Sequence, residues 1–203
     1  MTDLKLQLLS LDKEIIRIVD STVRTSCIYN KKPWLQNGII ICDEEHFEGF
    51  KPSPLLLQTK AAVYVWIMEL AGNRNFPLRG VMGTSFPRRE SLVQELIDSA
   101  FSAAHQDAEH EEITEKDLEK LIYSVDIIQC NWQEINLTSK NIEDFDLNKQ
   151  ILKVEKNSRH TLIRRHPLTQ ESNESIIESA LSKAGISMTE NPLVRQADYI
   201  RIM

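Results

Sequence analysis

The chain has 203 residues, of which 41% are hydrophobic and 27% charged, and a formal net charge of −6. That length allows one large domain or two small ones, each with a substantial core. The acidic balance argues against a general nucleic-acid binder. The three scattered cysteines, Cys27, Cys42 and Cys130, argue against a disulfide framework, and no apolar run is long enough for a membrane span. Asp3 and Lys5 interrupt the N-terminal leucines and no small-residue cleavage site follows, so no signal peptide is expected and the chain reads as cytoplasmic.

In chain order, Ile15, Ile16, Val19, Val23 and Cys27 recur at helical spacing and predict a helix over 12–27, with Asp12 as its N-cap and Lys31-Lys32-Pro33 ending it. Gly38 to Cys42 reads as a short strand, and Asp43 to Pro54, with Gly49, Pro52 and Pro54, as a loop or a crossing segment. Ala61 to Met68, rich in β-branched and aromatic residues, reads as a central strand. Leu92, Val93, Leu96, Ile97, Ala100, Phe101 and Ala104 make an unbroken apolar helix face, so Leu96, Ile97 and Phe101 are expected to be buried. Thr114 to Asp117 fits a capping box. Tyr123, Val125 and Ile127 alternate with Ser124 and Asp126, which predicts a strand.

Asn131 to Asn148 is polar and irregular, and Glu143, Asp144 and Asp146 make it locally acidic. Gln150 to Lys156 and Arg159 to Arg165 read as a hairpin turning at Asn157-Ser158. Ser172 to Ala184 reads as an amphipathic helix closed by Gly185 as a left-handed cap with Ile186 behind it, and Tyr199 to Met203 as a final edge strand. Mixed elements without a βαβ repeat define an α+β class: a largely antiparallel β-sheet flanked by amphipathic helices. The chain is read as a single domain over 1–203, with a boundary near 131–148 that would split off a smaller second subdomain.

Between the apolar strand and the helix beginning near Ser91 lies Phe76-Pro77-Leu78-Arg79-Gly80-Val81-Met82-Gly83-Thr84-Ser85. It reads as a strand-to-helix junction where Gly80 and Gly83 permit a turn or a close backbone approach. Such a junction exposes backbone N–H groups that, with the helix dipole, favour an anion. Arg79 adds a permanent charge, with Arg88 and Arg89 nearby. The candidate ligand-binding residues are therefore Arg79, Gly80, Gly83, Thr84 and Ser85. No phosphate-binding loop, dinucleotide fingerprint or nucleophile elbow is present, so no catalytic residue is assigned.

Leu78-Arg79-Gly80-Val81-Met82-Gly83 resembles the Leu-Arg-Gly-Cys-Ile-Gly signature of the AMMECR domain family, named for the AMME syndrome chromosomal region. The resemblance extends through Pro54–Met68, Ser91–Asp107, Leu121–Ile128, Ile151–Leu162 and Ala180–Ile186. One position departs: Val81 stands where the family carries its cysteine, so thiol chemistry at the signature is closed to this chain. The resemblance implies a domain without an established activity, which in some bacterial proteins is fused to Memo-like and radical-SAM modules.

Two further clusters carry charge. Lys149, Lys153, Lys156, Arg159, His160, Arg164, Arg165 and His166 make a basic hairpin without interleaved aromatics, better suited to a solvated sheet edge than to nucleic acid. His105, Asp107, Glu109, His110 and Glu112 are metal-capable in type but not in order, and no metal or cofactor is expected. His46 with Glu44-Glu45 has no recognisable partner. Three readings follow: an accessory module that binds an anionic small molecule or a protein segment at the signature, a small enzyme acting on a nucleotide, RNA or protein with Thr84 or Ser85 near the chemistry, and an RNA binder using the hairpin. The first leads, because the local sequence offers only hydroxyls and arginines.

Overall fold

The computed structural model describes residues 2–43, 48–71, 76–137, 145–168, 171–190 and 192–203. The chain forms two compact units, Met1–Ile128 with Ile200–Met203, and Gln129–Tyr199.

The first unit opens with α1 (Thr2–Leu9) and α2 (Asp12–Tyr29). On α2, Ile15, Val19 and Val23 of the apolar spacing are buried together with Ile18, while Ile16 and Cys27 are only partly buried, and Asn30 ends the helix in the left-handed conformation. A small antiparallel sheet follows, of β1 (Trp34–Gln36), β2 (Ile39–Asp43) and β3 (Glu48–Phe50), and then α3 (Pro54–Gln58). β4 (Ala62–Glu69) lies between β5 (Leu78–Gly83) and β6 (Leu121–Ile128), antiparallel to both. α4 (Leu92–His105) starts at Ser91, whose hydroxyl accepts from the Gln94 N–H at 3.4 Å. Leu96 and Ile97 pack into one core with Val63, Val65 and Ile67 of β4 and Val125 of β6. Each such side chain, fully buried, contributes about 1.5–3 kcal/mol.

In the second unit, β7 (Gln133–Ile135) and β8 (Gln150–Lys156) pair with Leu193–Asp198 of β10 (Leu193–Ile202), whose last residues belong to the first unit, and β8 turns into β9 (Arg159–Ile163). The Lys156↔Arg159 register leaves a two-residue loop with Asn157 at φ 55°, which is the hairpin chemistry its sequence suggested. α5 (Asn173–Lys183) is capped by Ser172. Its other end is closed by bonds from the Gly185 N–H to the Ser182 carbonyl and from the Ile186 N–H to the Leu181 carbonyl, with Gly185 at φ 64°. Ile177, Leu181 and Ile186 face Leu152, Val154 and Ile163.

Several local expectations are corrected. Leu11, not Asp12, occupies the α2 N-cap position. The loop expected over 43–54 contains β3, and Pro54 starts α3, because proline suits a first helical turn. The segment expected to be irregular over 131–148 contains β7. Glu44, Glu45, His46, Glu143 and Asp144 lie outside the described residues. β10 is an interior strand, longer than the edge strand expected over 199–203. The strand expected at Tyr123–Ile127 is β6, on which Ser124 and Asp126 are as buried as their apolar neighbours. Asp126 is satisfied by the Trp66 indole N–H at 2.7 Å and by the Arg201 guanidinium at 2.6 and 2.8 Å.

The largest correction concerns the glycines. Leu78–Gly83 is a strand, and neither Gly80 nor Gly83 has a positive φ. Each permits a close approach. A Cβ on Gly80 would lie 2.0 Å from the Ala103 carbonyl oxygen of α4, and one on Gly83 would lie 2.0 Å from the Val63 carbonyl oxygen of β4. Backbone cannot yield as a flexible side chain can. Gly80→Ala is therefore expected to cost about 3 kcal/mol, the upper end of overpacking, and to lower the thermal midpoint by several degrees. An alanine variant melting within a degree of the parent would refute the close contact.

Candidate functional site

α4 lies against β5, and an open cavity of about 510 Å³ forms beside them. Its lining includes Met82, Gly83 and Thr84 at the end of β5, Arg88 and Arg89 before α4, and Glu95, Asp98, Phe101 and Ser102 on the helix, with Lys32 alongside. Phe101 is only half buried because its ring forms part of this wall, which corrects its expected place in the core. The Lys32 ammonium stands 5.8 Å from that ring's centroid.

Charges at the cavity are unevenly matched. Glu95 is 1% exposed, and its carboxylate accepts from the Arg89 backbone N–H at 2.7 Å and from that of Arg88. These two N–H groups belong to the loop ahead of the Ser91 N-cap and not to the helix itself, and the anion they hold is the chain's own Glu95. Asp98 receives two cations, Lys32 at 2.7 Å and the Arg89 Nε. Lys32 is 41% exposed and Arg89 52% exposed, so these pairs are worth at most about 1 kcal/mol each. Three cationic side chains thus meet two carboxylates, leaving a local positive surplus on a chain of net charge −6. The Thr84 hydroxyl is buried without a hydrogen-bond partner.

The candidate residues separate in space. Gly83 and Thr84 reach the cavity; Arg79, Gly80 and Ser85 are not among its lining residues. Arg79 bonds Glu69 at 2.7 Å and Asp117 at 3.4 Å, with about a fifth of its side chain exposed. The Asp117 carboxyl is held below its ordinary range first by the Thr114 backbone N–H of the capping box, against some burial, and also by Arg79. On β5, the Val81 N–H donates to Asp107 at 2.7 Å. Burial alone would raise the Asp107 carboxyl, but N–H donors of Val81 and Glu109 and the His110 ring bring it below its ordinary value of 3.8.

The metal-capable residues do not converge: among the described residues no group of three or more metal-capable side chains forms. Instead His105 links Ser26 and Glu112, at 2.7 Å to each. This line of hydroxyl, imidazole and carboxylate resembles a nucleophile relay, but Ser26 is 2% exposed and its hydroxyl donates to the Val23 carbonyl at 2.9 Å. A hydroxyl that gives its proton to a carbonyl only accepts from the imidazole, so the line clamps α2 to α4. Burial pushes the neighbouring Cys27 thiol up to about 11, which leaves it inert at neutral pH. Lys32, Glu95 and Asp98 are site residues that sequence reading missed; Lys32 lies far from the signature in sequence, and its place beside Pro33 gave no signal beyond a helix end.

An α+β domain with a polar cleft between an edge strand and the helix that follows it is the class defined by this geometry. The profile of the AMMECR1 family matches residues 34–199, and the chain belongs to that family. The crystal structure of the uncharacterized protein PH0010 from Pyrococcus horikoshii is similar in fold, with a TM-score of 0.73 at 16% identity, covering 95% of this chain and 90% of that one. No curated protein matches the sequence.

Two outcomes are expected. Arg79→Ala leaves two carboxylates facing each other and should cost about 1–3 kcal/mol, measured by thermal melting at neutral pH. Asp107 has a depressed folded-state pKa, so its stabilisation is present above its unfolded value near 3.8 and is lost as pH falls through the folded value. Asp107→Asn should therefore be less stable than the parent at pH 6, with the difference closing below about pH 3.8; a difference independent of pH would exclude the charge as its cause.

Proposed function

We propose that this domain binds a small anionic ligand in the cleft between the end of β5 and α4, acting as a ligand-binding accessory module. The observation that carries the reading is the charge balance of the cavity. Its buried carboxylate is already satisfied by backbone N–H groups, while Lys32, Arg88 and Arg89 keep a positive surplus at the mouth. Within the signature, Gly83 lets the wall lie close and Thr84 supplies an unused hydroxyl. Arg79 and Gly80 hold the strand in place, and Ser85 follows it. An enzymatic reading finds less support, because no histidine or cysteine lines the cavity among the described residues. The basic hairpin is also weak support for RNA. Lys149 pairs with Asp146, Lys153 with Glu155 and Arg159 with Glu190, all at 2.9 Å, and Arg165 meets Asn173 at 2.6 Å.

The test is a thermal melt of the parent protein across phosphate, sulfate, citrate and nucleotides. At least one anion should raise the midpoint by a few degrees, as ligand linkage to the native state requires. Arg88→Ala, an exposed position, should keep the unliganded midpoint and lose most of that shift; Arg79→Ala should lower the unliganded midpoint and keep it. Equal ligand shifts in the parent and Arg88→Ala would count against this cleft.

A further inference from the structure

Beside the cleft lies a second cavity, of about 210 Å³, lined by Lys32, Pro33, Trp34, Leu35, Arg89, Gln94, Ile97 and Asp98. Lys32, Arg89 and Asp98 line both cavities. These three side chains are the ion-paired trio, with Asp98 bonded to Lys32 at 2.7 Å and to Arg89 through its other oxygen. The wall between the two spaces is therefore three side chains held by exposed ion pairs, which water and salt weaken.

The two spaces differ in chemistry. The larger has the Thr84 hydroxyl and the Arg88 side chain. The smaller has an aromatic ring, Trp34, flanked by Pro33 and Leu35, and its indole N–H is already directed to Gln36 at 3.4 Å. A tryptophan with its polar edge engaged offers a face for a planar group.

We propose that the trio is a displaceable partition, and that the two cavities form one site for a small phosphate monoester carrying a planar ring. The inference rests on the anionic reading of the larger cavity. Asp98 holds the place of the phosphate. A phosphate dianion outcompetes a single carboxylate for Arg89 and Lys32, because the guanidinium fork matches two of its oxygens and the ammonium adds a third contact. With Asp98 released, the ring of the ligand enters the smaller cavity and lies against Trp34.

Calorimetry with inorganic phosphate and phenyl phosphate on the full chain tests this. Phenyl phosphate should bind the parent about tenfold more tightly than phosphate, the scale of one ring stacked on an aromatic side chain. Trp34→Ala should bring the two probes to within about twofold of each other, and Trp34→Phe should restore most of the difference. Asp98→Asn, which removes the internal competitor, should tighten both probes several-fold; weaker binding in that variant would mean that Asp98 positions the cations, and would overturn the partition. Phosphate binding without any advantage for phenyl phosphate, or an advantage that survives Trp34→Ala, would sink the joined site and leave the larger cavity's reading intact. No binding of either probe would sink the joined site, and the anionic reading of the larger cavity would then stand or fall on the sulfate, citrate and nucleotide arms of the thermal melt. Adenosine 5′-monophosphate binding more tightly than phenyl phosphate assigns the ligand to the nucleotides, and the reverse assigns it to the aryl phosphates.

Discussion

The contact between Gly80 and the Ala103 carbonyl sets the geometry of the first unit. With no room for a Cβ, the helix rests on the backbone of β5 itself. Gly83 repeats the condition one side over, against Val63 and Tyr64 of β4, and the Thr84 N–H continues the pairing to the Val63 carbonyl at 3.0 Å. Two unrelated constraints therefore meet within four residues of one strand: helix against strand, and strand against strand. The cavity is the by-product. Where β5 ends and α4 continues, Met82 to Thr84 and Asp98 to Ser102 face each other across a space that the glycines have brought to a fixed width.

Charge follows from that placement. Among the first N–H groups of α4, that of Leu92 goes to the Thr59 carbonyl and that of Gln94 to the Ser91 hydroxyl, while the loop ahead of the helix has N–H groups of its own that need partners. Glu95, one turn into α4, turns back to take two N–H groups of the entry loop, so a buried carboxylate replaces solvent there. The main chain of Arg88 and Arg89 is used in this way, while their side chains stay exposed. The same two residues thus fix the helix start through their backbone and present charge through their side chains, and Asp98 balances only part of it.

What the sequence made legible was local. The α4 face, the α5 caps and the Asn157 hairpin follow from spacing and turn chemistry within a few residues. Gly80 and Gly83 were visible as special but not as strand residues, because a glycine chosen for a positive φ and one chosen for close approach look the same in a sequence. Asp126 was legible only as the polar member of a strand alternation, because its partner Arg201 lies 75 residues away. Lys32 was invisible as a site residue for the same reason, since Asp98 is 66 residues distant. Phe101 fitted a core face by period, yet a helix face has an edge, and here the edge is the cavity wall.

Val81 is the instructive exception within the signature. It pairs with Trp66, so by the alternation of a strand it projects to the face opposite Met82, which lines the cavity. What position 81 gives the fold is a main-chain N–H, donated to the buried Asp107 carboxylate along the strand's free edge. That bond caps an edge that would otherwise present an open donor, and it is indifferent to whether the side chain is a thiol or an isopropyl group. The Val81 side chain lies on the Trp66 face, and Met82, which lines the cavity, lies on the other. Gly80 and Met82 share that other face, toward α4, whereas Gly83 lies on the face of Val81 and is held against β4, so the side chain at position 81 leaves the Gly80 contact with α4 untouched.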